Sequence, residues 1–244
     1  MWRILRALGY VQIGSDQDQA DLVIAWHDDT YPTYPEFPVS RWGIPPINGR
    51  CHDISKKRVG EAFASVFGYE LSVDPATFQG PCISKFNMNA THNVTLHECP
   101  VETPARSRVY ERYVDTMTDG GYYEDIRIAV VGAEIPICWK RINAEDKLER
   151  RFAQKSDDSI LVPTAAVLGP EDVRLVLAFC SELGLDFCEL DAGRDRADGR
   201  LYIFDATSTP TVRRRNSDED NAFLTRELSA AFTRQFQPLF TYVP

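Results

Sequence analysis

A chain of 244 residues with 43% hydrophobic and 26% charged side chains has the composition of a soluble globular protein, long enough for one large domain or two modest ones. Its net charge of −9 argues against a nucleic-acid backbone as a partner, and no apolar run approaches the about 20 residues that span a bilayer. The apolar part of the N-terminus is too short for a signal peptide, and the six cysteines form no Cys-x-x-Cys pair. We therefore expect a cytoplasmic protein with reduced cysteines, and neither a nucleic acid nor a membrane as its partner.

The first fifty residues combine one apolar run with many prolines. Ala20–Trp26 predicts one buried strand, because apolar residues follow an acidic start. Five prolines within residues 31–46 then indicate an extended connection. His27, Asp28 and Asp29 are either a metal or acid–base cluster or solvated loop residues, and their place after a strand favours the second reading.

A helix is predicted from Asp53 onward, with Asp53 or Ser55 as its cap and Gly68 as its end. Lys56 and Lys57 fall in its first turn, where cations oppose the helix dipole, which suggests that one of them reaches for an anion. The strand that follows, residues 80–85, ends in Lys85 before a small polar loop of residues 86–93 and a second strand. A lysine before such a loop suits phosphate binding, and a solvated hairpin turn fits the same pattern.

The middle of the chain reads as strands followed by a helix. Residues 108–115 predict a strand, and residues 124–141 predict a hairpin that turns at Gly132-Ala133 and places Arg127 and Arg141 on neighbouring strands. The polar residues 143–158 predict a loop. Helices are expected at about residues 170–183 and 219–235. Between them, the basic triplet at residues 213–215 either offsets its acidic neighbours or meets an acidic partner.

Residues 188–210 form two short apolar runs that each carry an acid, joined by a charged tip with Asp198-Gly199. This pattern predicts a β-hairpin, because Asp-Gly supplies the positive φ of a tight turn. Such a hairpin brings Asp191 beside Asp205 although they are far apart in sequence. Adjacent carboxylates repel each other, and a hard cation such as Mg²⁺ that also holds substrate phosphates is the usual compensation. The alternative is a surface hairpin with solvated acids.

The order of these features resembles the ATP-grasp superfamily, closest to its glutamate-ligase-like and D-alanine–D-alanine-ligase-like branches, over roughly residues 50–212. The resemblance implies an α+β fold in which two subdomains with mostly antiparallel sheets clamp a nucleotide. It divides the chain into a reduced N-terminal segment (1–50), an N-subdomain (51–107) and a C-subdomain (108–244) that holds the metal-binding hairpin and the C-terminal helix.

The resemblance also assigns site residues, with ATP and Mg²⁺ as cofactors. The phosphate lysines are Lys56, preferred over Lys57, and Lys85. In the family, the backbone of a hinge strand binds adenine, and Glu111, Tyr113 and Val114 match that strand. The arginines that stabilise an acyl-phosphate match Arg127 and Arg141, and the Mg²⁺ ligands match Asp191, Asp205 and Thr207.

The implied activity is that of an ATP-dependent ligase that joins a small-molecule carboxylate to an amine, or to another nucleophile, through an acyl-phosphate. Its alternatives are a degenerate ATP-grasp protein that serves as a nucleotide-binding or scaffolding subunit, and phosphoryl transfer to a hydroxyl. The chain departs from the family's pattern at Thr207, where asparagine is usual, at Asp205, where glutamate is commoner, and in a phosphate loop without glycine. The short N-terminal segment implies that a partner chain or a second copy completes the acceptor site.

Overall fold

The structure, a computed structural model, describes residues 1–12, 20–33, 44–89, 91, 93–144, 152, 158–210 and 217–237. The helices in this part of the chain are α1 (Trp2–Ala7), α2 (Lys56–Phe67), α3 (Pro170–Leu183) and α4 (Asp218–Phe236). The strands are β1 (Gly80–Phe86), β2 (Thr95–Cys99), β3 (Arg108–Arg112), β4 (Tyr122–Val131), β5 (Glu134–Ala144), β6 (Asp158–Val162), β7 (Phe187–Arg194) and β8 (Leu201–Thr207).

The strands form two antiparallel sheets. A three-stranded sheet has the order β2-β1-β3, and a five-stranded sheet has the order β6-β5-β4-β7-β8. Helices α2 and α3 pack against each other, and α2 also packs on β8. This is the α+β arrangement of two antiparallel sheets that the sequence predicts.

The predicted helices form where capping residues mark their ends. The hydroxyl of Ser55 accepts a hydrogen bond from the backbone N–H of Arg58 at the start of α2, and Gly68 ends that helix in the left-handed conformation. Helix α3 has the predicted bounds and ends at Gly184, also left-handed. Helix α4 starts after Ser217, whose hydroxyl accepts from a first-turn N–H.

The five-stranded sheet has two different faces, because side chains alternate along each strand. One face is apolar and lies in a core with α2 and α3, through residues such as Ile128, Leu190 and Phe179. The opposite face is apolar only at one end, where Val131 and Trp139 lie in a second core with α4. At its other end that face carries charged side chains, and this end forms the candidate site.

The three-stranded sheet has a smaller core of its own. Cys82, Cys99 and Tyr110 are buried together there. All six cysteines of the chain are buried, as expected of packing residues, and none of them forms a disulfide in the structure.

Several predicted elements differ from the structure. The predicted strand Ala20–Trp26 is wrong: the segment makes one isolated parallel bridge, between Ile24 and Ile47, and Trp26 is exposed. An apolar run becomes a strand only where a neighbour pairs with it, and this segment has one such contact. Helix α1 and strand β6 were not predicted, and the strand predicted to reach residue 115 ends at Arg112.

Two predictions fall largely or wholly outside the described residues, namely the polar loop 143–158 and the basic triplet 213–215. The domain bounds stay a prediction, although β3, which follows the predicted boundary, pairs with β1. None of the helices within the described ranges is long and apolar enough to cross a membrane.

Candidate nucleotide and metal site

A pocket lies where the charged end of the five-stranded sheet meets the three-stranded sheet and the start of α2. Its wall includes predicted site residues from separate parts of the chain: Lys56, Lys85, Tyr113, Val114, Arg141, Asp191 and Asp205. Its other lining residues are Ile83, Thr91, Val94, Arg112, Asp125, Phe152 and Phe204. The fold therefore collects into one cavity side chains that span 150 positions of the sequence.

Asp191 and Asp205 lie directly opposite each other on β7 and β8. The turn between these strands contains Gly199 with a positive φ of 70°, as the Asp-Gly signal predicts. The pairing shifts beside them: Ala192 is opposite Ile203, so Phe204 is an extra, bulged residue. Because of this bulge, Ile203 lies in the apolar core while Asp205, two residues later, lines the pocket.

Asp191 is buried within a group of cations. Arg127 donates to both of its oxygens, from Nε to Oδ1 at 2.8 Å and from Nη2 to Oδ2 at 3.2 Å, and Arg141 Nη2 lies 3.5 Å from Oδ1. Burial by itself raises the pKa of Asp191, but the charges of the two arginines, the Arg127 hydrogen bond and the charge of Lys56 outweigh it and lower the pKa to about 2. The carboxylate is therefore ionised over the physiological pH range.

The two predicted phosphate lysines lie on either side of this pocket. Lys56, in the first turn of α2, is buried and donates to Oδ1 of Asp205. Its neighbour Lys57 points outward, with a side chain 72% exposed, and lies 3.8 Å from Glu61. The structure thus places Lys56 and not Lys57 at the pocket, and the anion that it reaches is a carboxylate of the predicted metal site.

Lys85 extends from β1 into the same pocket. Its Nζ lies 2.6 Å from Oε2 of Glu111 and donates to the carbonyl oxygen of Phe204 at 3.1 Å. Glu111 is buried on β3, opposite Ile83 of β1, and contacts the pocket through this lysine rather than by lining it. Tyr113 and Val114, which follow the end of β3, line the pocket directly.

The two predicted arginines have different positions. Arg141 lines the pocket, whereas Arg127 lies beneath it and contacts Asp191 and, through Nη1 at 3.6 Å, Glu189. Burial opposes the charge of Arg127, but the charges of Asp191 and Glu189 raise its pKa above the ordinary value. Arg127 therefore holds Asp191 in place, and Arg141 faces the cavity.

The carboxylates fit Mg²⁺ only if a ligand completes its coordination. Asp191 and Asp205 offer hard oxygens on one face, while Thr207 lies opposite Glu189, two pairs along the hairpin from the two acids, and does not line the pocket. Within the described ranges, no cluster of three or more His, Cys, Asp or Glu residues has metal-binding geometry. Because Mg²⁺ is commonly held by one or two carboxylates together with substrate phosphates, two acids suffice for a site shared with a nucleotide.

Some residues of the pocket were not assigned from the sequence. Arg112 donates from Nη1 to the hydroxyl of Tyr202 at 2.9 Å and so joins the end of β3 to β8. Asp125 lines the pocket from β4 and accepts a hydrogen bond from Thr116 at 3.0 Å. Asp125 belongs to an Asp-x-Arg pattern with Arg127, and this pattern could have identified it as a site residue. The sequence gives no specific signal for Phe204, which lines the pocket because of a bulge, or for Arg112, which lies at a charged strand end.

No protein-family model matches this sequence, and no curated protein sequence matches it. Among solved structures the chain is similar to the ATP-grasp ligase PsnB complexed with minimal precursor, Mg and ADP, with a TM-score of 0.52 and 15% identity over 80% of this chain and 66% of that chain. PsnB complexed with minimal precursor gives 0.50 and 14% over 79% and 67%.

The D-alanine–D-alanine ligase from Bacillus anthracis complexed with ATP gives a TM-score of 0.48 and 14% identity over 82% of this chain and 72% of that chain. The chain spans about two thirds of the length of the PsnB chains. The two antiparallel sheets with a pocket between them, together with the likeness to PsnB, confirm the fold that the sequence resemblance implies: this chain has the ATP-grasp fold.

Proposed function

We propose that the protein is an ATP-dependent ligase that activates a carboxylate as an acyl-phosphate and transfers the acyl group to an amine or another nucleophile. The observation that carries this proposal is the convergence of Lys56, Lys85 and the facing pair Asp191 and Asp205 on one pocket. A Mg²⁺-bound triphosphate requires cations for its phosphate oxygens and carboxylates for its metal. The two lysines supply the first and the two aspartates of the hairpin supply the second.

The nucleotide has a natural orientation in this pocket. Tyr113 and Val114 line the pocket together with apolar residues such as Ile83 and Val94, and an apolar wall of this kind suits a flat base. Lys56 and Lys85 suit the phosphates, for which they would exchange their present partners Asp205 and Glu111. Mg²⁺, when held by Asp191 and Asp205, would neutralise phosphate charge.

The charged end of the sheet suits the activated carboxylate. Arg141 faces the cavity and can donate to the oxygens of an acyl-phosphate, while Arg127 fixes Asp191 beside it. Catalysis of this kind depends on positioning and charge neutralisation and does not require a nucleophilic side chain.

The substrates that follow are small-molecule carboxylates and amines. The PsnB structures contain a minimal precursor, which makes a carboxylate carried on a peptide a further candidate. A second copy or a partner chain that completes the acceptor site remains part of the proposal. The requirement for ATP and the six free cysteines agree with a cytoplasmic location.

The test is the thermal midpoint of the protein with ATP and Mg²⁺ compared with Mg²⁺ alone. A ligand that binds the folded state raises the midpoint, so we expect a clear rise at millimolar ATP. The double variant Asp191→Asn with Asp205→Asn should lose most of this rise. A wild-type midpoint that does not move would refute the ligase, and a full rise in the double variant would show that ATP binds without this metal site.

Release of ADP separates the ligase from a nucleotide-binding protein without ligase activity. With ATP, Mg²⁺ and a panel of carboxylates, hydroxylamine can replace the unknown nucleophile and trap an acyl-phosphate as a hydroxamate. ADP and hydroxamate in equal amounts support the ligase. A thermal shift without hydroxamate supports the nucleotide-binding alternative.

A further inference from the structure

Residues 27–30 contact three separate elements that carry or adjoin predicted site residues. The first is β8, which carries Asp205. Two residues beyond the end of that strand, the hydroxyl of Thr209 donates to Oδ1 of Asp28 at 3.0 Å. The segment with the His-Asp-Asp sequence is therefore attached to the strand of the metal-binding hairpin.

Thr30 joins the other two elements. It is buried, with 8% of its surface exposed. Its carbonyl oxygen accepts from the N–H group of Ile54 at 2.9 Å, and its hydroxyl oxygen accepts from the N–H group of Asn89 at 2.8 Å. Ile54 lies two residues before Lys56, and Asn89 lies in the polar loop that follows Lys85. One threonine thus connects the start of α2 to this loop.

Asn87 makes a second link between the same two elements. Its Oδ1 accepts from the N–H group of Lys57 at 2.8 Å. The first N–H groups of a helix have no partner within the helix, and here Ser55 binds that of Arg58 while Asn87 binds that of Lys57. Of the loop residues that the structure describes, only Thr91 lines the pocket. The loop therefore uses Asn87 to cap α2 rather than to contact phosphates.

These links act on the spacing of the two predicted phosphate lysines. Asn87 lies two residues after Lys85 and binds the residue next to Lys56. The two ammonium groups reach neighbouring residues of β8, where Lys56 donates to Asp205 and Lys85 to the carbonyl oxygen of Phe204. A loop that moved away from α2 would separate the lysines. Because the apparent affinity of a ligand falls with the fraction of molecules in the binding arrangement, such movement would weaken the binding of a triphosphate.

We propose that Thr30 and Asn87 are positioning residues that hold the loop against the start of α2 and so keep Lys56 and Lys85 at the spacing that the phosphates of ATP require. The inference rests on the proposed ligase function and adds to it the contacts that fix the phosphate end of the site. Neither Thr30 nor Asn87 lines the pocket, so both act through the lysines.

The test compares two substitutions of Thr30 by isothermal titration with ATP and Mg²⁺. Thr30→Val keeps the size of the side chain but leaves the N–H group of Asn89 without its acceptor, and it should weaken ATP binding about 3- to 10-fold. Thr30→Ser keeps the hydroxyl and should stay within about twofold of the wild type. Asn87→Ala should weaken binding as Thr30→Val does, and the double variant should lose more than either, because neither link then compensates for the other.

Adenosine separates the positioning of phosphates from a general role in the fold. It has no phosphate for the lysines to hold, so its affinity, measured by competition with ATP, should be the same in every variant. Thr77→Val is the matched control, because it also removes a threonine hydroxyl, one that donates to Asp74 in an exposed turn outside the pocket. It should leave the affinities for ATP and for adenosine unchanged.

Each outcome decides a different point. Unchanged ATP affinity in Thr30→Val and Asn87→Ala would overturn the positioning role, and so would a loss that Thr30→Ser does not recover. Equal losses for ATP and adenosine would show that the two residues support the pocket as a whole, which also contradicts the proposal. In each of these cases the wild type still binds ATP and the proposed ligase function stands. If the wild type binds no ATP in the presence of Mg²⁺, the ligase function itself fails.

Discussion

Two neighbouring lysines on α2 have different surroundings, although they are only one position apart in the sequence. Lys56 and Lys57 have the same chemistry and both lie in the first turn of α2, yet one is buried against Asp205 and the other is exposed. Successive helical residues point about 100° apart, so only one of them can face the sheet. The sequence predicts that one of these two lysines contacts an anion, and the packing of α2 on β8 gives that position to Lys56.

This difference leads to a matched pair of variants. Lys56→Ala removes a charged donor from the pocket and should weaken ATP binding roughly 10- to 100-fold. Lys57→Ala removes an exposed charge that pairs with Glu61 and should leave the affinity within about twofold. Isothermal titration with ATP and Mg²⁺ measures both, and equal losses in the two variants would contradict the assignment of Lys56.

Other residues of the site could not be read from the sequence. Asp191 and Asp205 were found because a turn signal lies between them, and the register confirms that they face each other. Arg112 has no such local signal, because its role depends on its hydrogen bond to Tyr202 of β8. The family resemblance placed Thr207 with the acids, but the structure puts it two pairs along the hairpin from them and outside the pocket lining.

At the scale of elements, the bulge in β8 is the feature that makes the hairpin functional. In a regular strand Ile203 and Asp205 would share a face, so either the isoleucine would enter the pocket or the aspartate would enter the core. The extra residue Phe204 reverses the alternation between them and adds an aromatic side chain to the pocket wall. The turn and the two strands were predictable, whereas the bulge was not, because it is a property of the pairing.

The helix ends provide a prediction at the same scale. Gly68 and Gly184 both end helices with a positive φ, at 76° and 71°. A Cβ atom on Gly68 would meet nothing within 4 Å, whereas one on Gly184 would lie 2.5 Å from the backbone oxygen of Arg50. Gly68→Ala should therefore cost about 1–2 kcal/mol of stability for its conformation alone, and Gly184→Ala about 1–3 kcal/mol more for the clash.

Chemical denaturation measures these two free energies. The comparison is internal, because each variant adds one methyl group at the same type of helix end. Equal losses would mean that the segment containing Arg50 moves away freely from α3.

At the scale of the whole molecule, one asparagine connects the N-terminal part of the chain to the hairpin of the site. Asn48 is fully buried and has a positive φ of 61°. Its Oδ1 accepts from the N–H groups of Asp186 and Phe187, and its Nδ2 donates to the carbonyl oxygens of Phe187 and Ser208. These contacts hold the two outer ends of β7 and β8 next to each other.

Asn48→Ala should leave these four backbone groups without their partner. We expect a loss of about 3–5 kcal/mol in the free energy of unfolding, since unpaired buried groups account for many of the largest mutational effects. Asn221→Ala is the control: its side chain accepts from Arg3 at the surface, so its loss should stay within about 1 kcal/mol. Similar small losses in both variants would show that Asn48 is not required for this connection.

The sequence by itself determined the positions of α2, α3 and α4, the β7–β8 hairpin, and the order of lysines and acids that resembles an ATP-grasp protein. These are local features, fixed by caps, by turn residues and by the spacing of apolar side chains. Only the tertiary structure decided that Lys56 contacts Asp205 in the pocket. It also decided that a bulge at Phe204 turns Asp205 toward the pocket, and that Ala20–Trp26 is not a strand. Those outcomes depend on which distant element packs or pairs with each segment, and no local pattern encodes the identity of that partner.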